Sequence, residues 1–543
     1  MLLAARSATA LHRLLDTLPV FAGDDRIDRI FTLVPGSDFG VDALAAIEHA
    51  GARTLPWAEA CRSSFDLILA ASPKGELGLL HGTRVLLPHG AGFNKTVRGE
   101  GSSDSASGLD PAYLTPGDRA LAAFHALAHP SQIGRLAALS PVAAEHAAVV
   151  GDPTLERILA SRTHRDRYRE ALGTGARTLI ALTSTWGPES LLRRRPTLAA
   201  DLQAQLPVDG YQLALIVHPN ERSRLGAFNL TESLAPALDA GLILPRPYQE
   251  WAAVLIAADA VVTDHGSTAL YAAALDRPLI GAYDGGDELI PGSPMDDLLA
   301  RSPRLRRSHP LRAGLEAALA AHRPGVARDC AGSAFAEQGR ALERLQQELY
   351  RLLGTAPPAV TATARPLPVP TAPVRTPSAF AVRTRIESDR ILTERFPVHA
   401  DGPGHHLAAE HGVAGEPHAR SAGILYRRAD RSASAPHLSA WTATGWTAHI
   451  LDEYPGCGTA AVIVSPSLCV ARTRAGSLVS VRIDPCREDG RIVSTDPSAV
   501  LCAVHAWLSE RPALPATVIC SIGNRDFPTR LRPATVDEAE HTL

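Results

Sequence analysis

Lysine is almost missing from this chain: of 54 basic residues only Lys74 and Lys95 are lysines, and the rest are arginines. The formal net charge is -3, so composition gives no electrostatic case for nucleic acid. Cysteine is sparse. Cys61, Cys330, Cys457, Cys469, Cys486, Cys502 and Cys520 form no Cys-x-x-Cys pair, and no histidine pair stands at zinc-finger spacing. Scattered thiols of this kind suit a reducing, cytoplasmic setting. No apolar run reaches the roughly 18 residues that a membrane helix needs. Met1–Val20 starts apolar but is interrupted by Arg6, His12, Arg13 and Asp16, which predicts a first amphipathic helix rather than a signal peptide.

What is present is enough apolar material for several cores: 45% of 543 residues. At about 100–200 residues per domain, that length predicts three or four domains. The first run of strand, glycine-bearing loop and helix covers 1–150. Its strands are Arg29–Val34, Asp66–Ala70, Arg84–Leu87 and Ala147–Val150, and its helices Asp42–Gly51 and Ala120–Ala137. A similar run covers 151–354, with strands Thr178–Leu182, Tyr211–Val217, Gly241–Leu244, Ala260–Thr263 and Leu279–Ile280. Helices are expected at Leu155–Ala160, Pro196–Leu206, Tyr248–Ala257, Leu311–Leu319 and Ala334–Leu353. Residues 355–377, dense in Pro, Ala, Thr and Val, read as an extended, semi-rigid linker open to proteases. Beyond it, residues 378–543 predict a small α+β domain of unknown role. Its strands are Gly423–Arg427, Trp446–Leu451, Ala460–Val464, Leu468–Arg472, Leu478–Ile483 and Ala516–Ile522, with Val500–Leu508 a helix and Ala400–Ser421 a loop. The histidines of that loop, His405, His406, His411 and His418, could bind a metal, but no second ligand cluster supports it.

The chemistry concentrates in four loops that each follow a predicted strand: His89–Lys95, Thr183–Trp186, His218–Asn220 and Asp264–Thr268. Ligands of open α/β sheets bind at that edge. The last loop opens a helix, where Ser267 and Thr268 add hydroxyls to free backbone amides that favour phosphate, and Gly266 lets a ligand approach the backbone. Ser184 and Thr185 offer further hydroxyls. Histidine can take or give a proton near neutral pH, which a hydroxyl acceptor attacking phosphorus or a sugar carbon requires. Lys95 would favour the negative charge of a departing diphosphate. No DxD-type motif occurs in these loops, so neither a metal nor a cofactor is called for. Taken singly, His218 could end a strand, Trp186 pack a core, and Lys95 stand in solvent. The coincidence of four such loops favours a site.

These residues resemble the GT-B-fold CDP-glycerol glycerophosphotransferases of teichoic acid synthesis and, more distantly, UDP-N-acetylglucosamine 2-epimerase. Pro88-His89-Gly90-Ala91-Gly92-Phe93-Asn94-Lys95 resembles that family's WHGTPLK-type loop. Gly151-Asp152-Pro153-Thr154, Thr183-Ser184-Thr185-Trp186-Gly187, Val217-His218-Pro219 and Thr263-Asp264-His265-Gly266-Ser267 resemble four further elements in the family's order. Departures are Pro88 for Trp, Lys95 one position late, Gly187 for Arg and His265 for Tyr. The resemblance spans Arg29–Gly354. It implies two Rossmann-like domains facing a cleft, the first on the acceptor side and the second on the nucleotide-donor side. It also implies His89 as catalytic base, with Lys95 beside it, and His218, Asp264, His265, Gly266 and Ser267 around the donor diphosphate.

The expected function is therefore transfer of a glycerophosphate or sugar from a nucleotide-diphosphate donor (CDP-glycerol or a nucleotide sugar) to a hydroxyl acceptor. That acceptor would be a cell-envelope polymer or lipid-linked glycan, and peripheral membrane contact is left open. No basic amphipathic helix marks a membrane surface. The alternatives are a nucleotide-sugar 2-epimerase and a non-catalytic nucleotide-binding protein of the same fold.

Overall fold

In a computed structural model the chain is described except for residues 38–39, 88–90, 98–106, 248, 284–285, 307–308, 399–403, 430–439, 477 and 512–513, and the side chains of 40–42. The first sheet is wholly parallel, in the order β2-β1-β3-β4-β5-β6. Its strands are β1 (Leu2–Ala5), β2 (Ile30–Leu33), β3 (Ser64–Ala70), β4 (His81–Leu86), β5 (Phe124–Leu127) and β6 (Ala147–Val149). The second sheet, also parallel, runs β10-β9-β7-β8. It comprises β7 (Thr178–Ser184), β8 (Tyr211–Val217), β9 (Ala260–Thr263) and β10 (Leu279–Gly281). The expected pair of parallel α/β domains is therefore present.

Two differences within the first domain share one cause. Met1–Val20 is not one helix: Leu2–Ala5 is a fully buried strand between β2 and β3, and the helix Ala8–Thr17 begins after the Ser7 cap. Ala120–Ala137 likewise contains β5, with all four residues buried, and is helical only from Ser131. Both runs are rich in Ala and Leu, good helix formers, but a parallel strand covered on both faces buries every residue and overrides propensity. Gly241–Leu244 makes only a single bridge, Ile243 to Ala214. Ala334–Leu353 is helical only over Ala341–Leu353, which packs Leu342, Leu345, Leu349 and Tyr350 against Leu11, Leu14 and Phe21 of the first domain. The closing helix of the second run thus returns to the first.

The C-terminal region is a closed, mixed barrel of nine strands among the described residues. They are β11 (Ala379–Glu387), β12 (Arg390–Pro397), β13 (His406–Glu410), β14 (Ile424–Arg428), β15 (Thr459–Ser465), β16 (Leu468–Thr473) and β17 (Leu478–Ile483), then, after a short hairpin of β18 (Cys486–Glu488) and β19 (Arg491–Val493), β20 (Thr517–Ile522) and β21 (Arg525–Pro533). The helix Pro497–Glu510 fills the barrel, placing Val500–Val504 and Trp507 in one core with side chains from all nine strands. It carries no charge before Glu510, as a helix buried all round requires. Two expectations fail here. Trp446–Leu451 lies in a helix, Ala443–Glu453, whose Trp446, Thr447, Ile450 and Leu451 are buried at helical spacing. Ala400–Ser421 holds β13 and the helix Glu416–Ser421.

Residues 355–377 contain no helix or strand, yet they are not a free linker. Ala362, Leu367 and Ala372 are buried, Leu367 exchanges hydrogen bonds with Ser161 and Tyr168, and Thr371 donates twice to Glu250. Among the described residues no helix is long and apolar enough to cross a membrane.

Buried histidines make the fold acid-sensitive. Burial pushes His125, in strand β5 of the first sheet, and His505, inside the barrel, down to about 4. The unfolded chain, with histidine near about 6.5, then binds more protons than the folded one between those values, so stability is lost as pH falls from about 6.5 to about 4. The melting temperature is expected to drop across that window, and His505→Asn, which keeps the hydrogen bond to Thr459 open, should flatten the slope.

Candidate functional site

Five loops leave the carboxyl ends of β4, β5, β7, β8 and β9 and meet at one cavity of about 120 Å³. The first domain contributes Gly92–Lys95 and Gln132. The second contributes Thr185, Trp186, His218 and His265–Thr268. A neighbouring cavity of about 110 Å³ shares His218, Ser267 and Thr268 and is walled by His12, Arg13, Arg222, Arg246, Trp251 and Tyr271. His218, Ser267 and Thr268 therefore stand where two cavities meet.

Asp264 builds this wall rather than facing the cavity. It is 1% exposed and accepts hydrogen bonds from the amides of Thr185, Leu191 and Gly266 at 2.8, 2.8 and 2.9 Å. Burial pushes its carboxyl up, and His265 and those amides pull it back. It ties the β9 loop to the β7 loop. Gly266 serves the same contact: a Cβ there would come within 3.0 Å of Asp264 Oδ1 and 3.1 Å of Thr185 Cβ. Glycine is needed here for close packing of two loops. Ser184 is also buried and takes the amide of Leu192 on its hydroxyl, so it caps a turn. Ser267 begins the helix Thr268–Ala274 without a side-chain capping bond. His218 begins Pro219–Leu225, its Nδ1 accepting from the Asn220 amide at 3.1 Å.

The cleft is pinned on one side by Glu288, which the sequence does not single out, with Lys95 and His265. Glu288, 3% exposed, places Oε2 at 2.8 Å from Lys95 Nζ and 3.2 Å from His265 Nε2. Burial opposes its charge, but hydrogen bonds from His265 and Lys95 hold its carboxyl below the usual range. Lys95 also donates to the Trp186 carbonyl and lies 4.7 Å over the Trp186 ring. Backbone bonds reinforce the link: Thr96 N to Glu288 O and Ile290 N to Asn94 O. Gly187 takes φ +97°, and a Cβ there would sit 3.3 Å from both Lys95 Nζ and Glu288 Oε1. The departure from the family's arginine at that position thus coincides with the space that the Lys95–Glu288 pair occupies. Lys95 is a neutralised bridge across the cleft. Because removing one partner of a buried pair strands the other, Lys95→Met and Glu288→Leu should each destabilise the chain by about 1–3 kcal/mol. The double variant should recover part of that loss, and a double-mutant cycle by chemical denaturation reads the coupling.

A second bridge lies at the domain junction. Asp152 caps Pro153–Ser161, accepts from Tyr271 Oη at 2.8 Å and lies 3.7 Å from Arg13. Asp16 takes Thr154 Oγ1 at 2.6 Å and Arg157 Nη1 at 2.8 Å. The Gly151–Thr154 element therefore latches the first helix to the second domain.

Of the expected site residues, Lys95, Thr185, His218, His265, Gly266, Ser267 and Thr268 come together around one cavity. Ser184 and Asp264 lie behind its wall, and His89 falls outside the described residues. Glu288 was missed. Its one signal is a glycine-bearing loop, Gly285-Gly286-Asp287-Glu288, following the strand Leu279–Ile280.

Two parallel α/β domains that present their strand ends to a shared cleft define a GT-B-like protein with an added barrel. A comparison with protein-family models found no match, and a comparison with curated protein sequences found none. Solved structures similar to the chain include the wall teichoic acid polymerase TagF, at 13% identity over 65% of this chain and 89% of that one, with a TM-score of 0.46. Anabaena Alr3699/HepE in complex with UDP and glucose is 14% identical over 65% and 99%, with a TM-score of 0.39. S. aureus MnaA with UDP is 10% identical over 68% and 99%, with a TM-score of 0.41.

Proposed function

We propose that the chain is a transferase that moves a glycerophosphate or sugar from a nucleotide-diphosphate donor to a hydroxyl acceptor. One observation carries this reading: His218, Ser267 and Thr268 line two neighbouring cavities, each of which also takes residues from the first domain. In this reading the diphosphate sits where the two meet, against the amides opening Thr268–Ala274 and the two hydroxyls. The nucleoside occupies the cavity walled by Arg222, Arg246 and Trp251. The transferred group points toward Asn94 and Lys95. His89, in the loop preceding them, would take the proton of the acceptor hydroxyl. Asp264 and Glu288 would act as positioning residues, the first setting the β9 loop and the second holding Lys95 and His265.

The neutralisation of Lys95 by Glu288 favours a second reading, in which the cleft binds nucleotide without turnover. Incubating the full chain with CDP-glycerol and UDP-sugars separates the readings. Transfer or hydrolysis of a donor supports the proposal, an isomerised donor indicates an epimerase, and binding without turnover supports the second reading.

A further inference from the structure

A cavity of about 690 Å³ lies outside the cleft. It lies where the second α/β domain meets the barrel, and its size falls within the roughly 300–1,000 Å³ of small-molecule sites. One wall is Arg177, Asp209 and Tyr211 from the second domain. The other is Phe380, Arg395, Arg428, Asp496 and Arg525 from the barrel. The carboxylates are already committed. Asp209 takes two bonds from Arg395, at 2.8 and 2.6 Å, and Asp496 bridges Arg395 and Arg428 at 3.2 and 2.8 Å. Arg525 pairs outward with Glu488. Arg177 differs from these. Its guanidinium donates to the carbonyls of Thr174 and Gly173, and among the described residues no carboxylate stands within ion-pair distance. Burial and the neighbouring Arg169 and Arg395 lower its pKa, although Asp209 and Asp496 lie near enough to counter them in part. The guanidinium is half-buried, and a partly desolvated cation of this kind gains free energy when a counter-charge reaches it. Ser494, Thr495, Tyr211 and Val374 complete a lining with both polar and apolar residues.

We infer that this interdomain cavity binds a small organic phosphate, whose anionic group pairs with Arg177 and whose body lies against Tyr211 and Val374. Because the two walls belong to different domains, occupancy would also fasten the barrel to the α/β pair. The inference is independent of the function proposed for the cleft.

Calorimetric titration of the full chain with inorganic pyrophosphate, with glycerol as an uncharged control, tests it. The cleft is removed as a competing site by Ser267→Ala with Thr268→Val. In that background saturable pyrophosphate binding is expected to persist, to weaken with added salt, and to fall at least about 10-fold in Arg177→Met, as the loss of a charge-assisted hydrogen bond implies. Arg525→Met, at the outer rim, should weaken binding less and serves if Arg177→Met fails to fold. Loss of all binding in the cleft variant would overturn the inference. So would unchanged affinity in a folded Arg177→Met chain, or in Arg525→Met where only that variant folds.

Discussion

His89→Ala is expected to lower the turnover of any donor the chain uses by about 10²–10⁴-fold, with donor affinity changed much less. The imidazole would accept the proton of the attacking hydroxyl, an interaction made in the transition state and not in donor binding. A residue that only caps or packs a loop behaves differently: its loss lowers the melting temperature and leaves turnover of the folded fraction intact. Steady-state kinetics beside a thermal melt separate the two. Full turnover without His89 would end its assignment as base and remove most of the support for a family-like mechanism.

Arg395→Leu should be the most destabilising single change at the barrel junction, costing about 3–5 kcal/mol. Arg395 is 2% exposed, binds Asp209 through two nitrogens, reaches Asp496 and Ser498, and lies 4.3 Å over the Phe380 ring. Removing it strands Asp209 between the second domain and the barrel and leaves Asp496 paired with Arg428 alone. Arg395→Lys should recover little, because an ammonium cannot reproduce the bidentate pairing. The junction also carries a pH signature. Burial alone would raise the Asp496 carboxyl, but Arg395 and Arg428 outweigh it and hold the group well below the usual range. A depressed carboxyl stabilises above its unfolded value, about 3.9, and that stabilisation disappears as pH falls below it. Chemical denaturation at pH 7 measures the first effect, and a midpoint unchanged by Arg395→Leu would contradict it.

Much of this architecture is legible in the sequence, for a definable reason. Tyr211–Val217 and Ala260–Thr263 read correctly because each is a short apolar run that ends in β-branched residues and is bounded by turn residues. Leu2–Ala5 and Phe124–Leu127 do not, because alanine and leucine give no strand signal and burial on both faces erases the period. The barrel's first strands were overlooked: Ala379–Glu387 and Arg390–Pro397 are laced with arginine and glutamate whose charges pair across the strands, as in Arg383 with Glu394. At the site, residues adjacent to strand ends were readable from their loops. Partnership across the domains was not. Nothing in the spacing of Lys95 and Glu288, or of Asp209 and Arg395, announces that they meet, since each pair is made by domain docking.

The central claim is that the junction at His218, Ser267 and Thr268 holds a nucleotide diphosphate. Calorimetric titration of the full chain with CDP, CDP-glycerol, UDP and UDP-N-acetylglucosamine tests it most directly. The account predicts saturable binding of at least one, weakened about 10- to 100-fold by Ser267→Ala with Thr268→Val while the melting temperature holds, as lost hydrogen bonds to a charged group imply. Binding of none, or equal affinity in the variant, would contradict it.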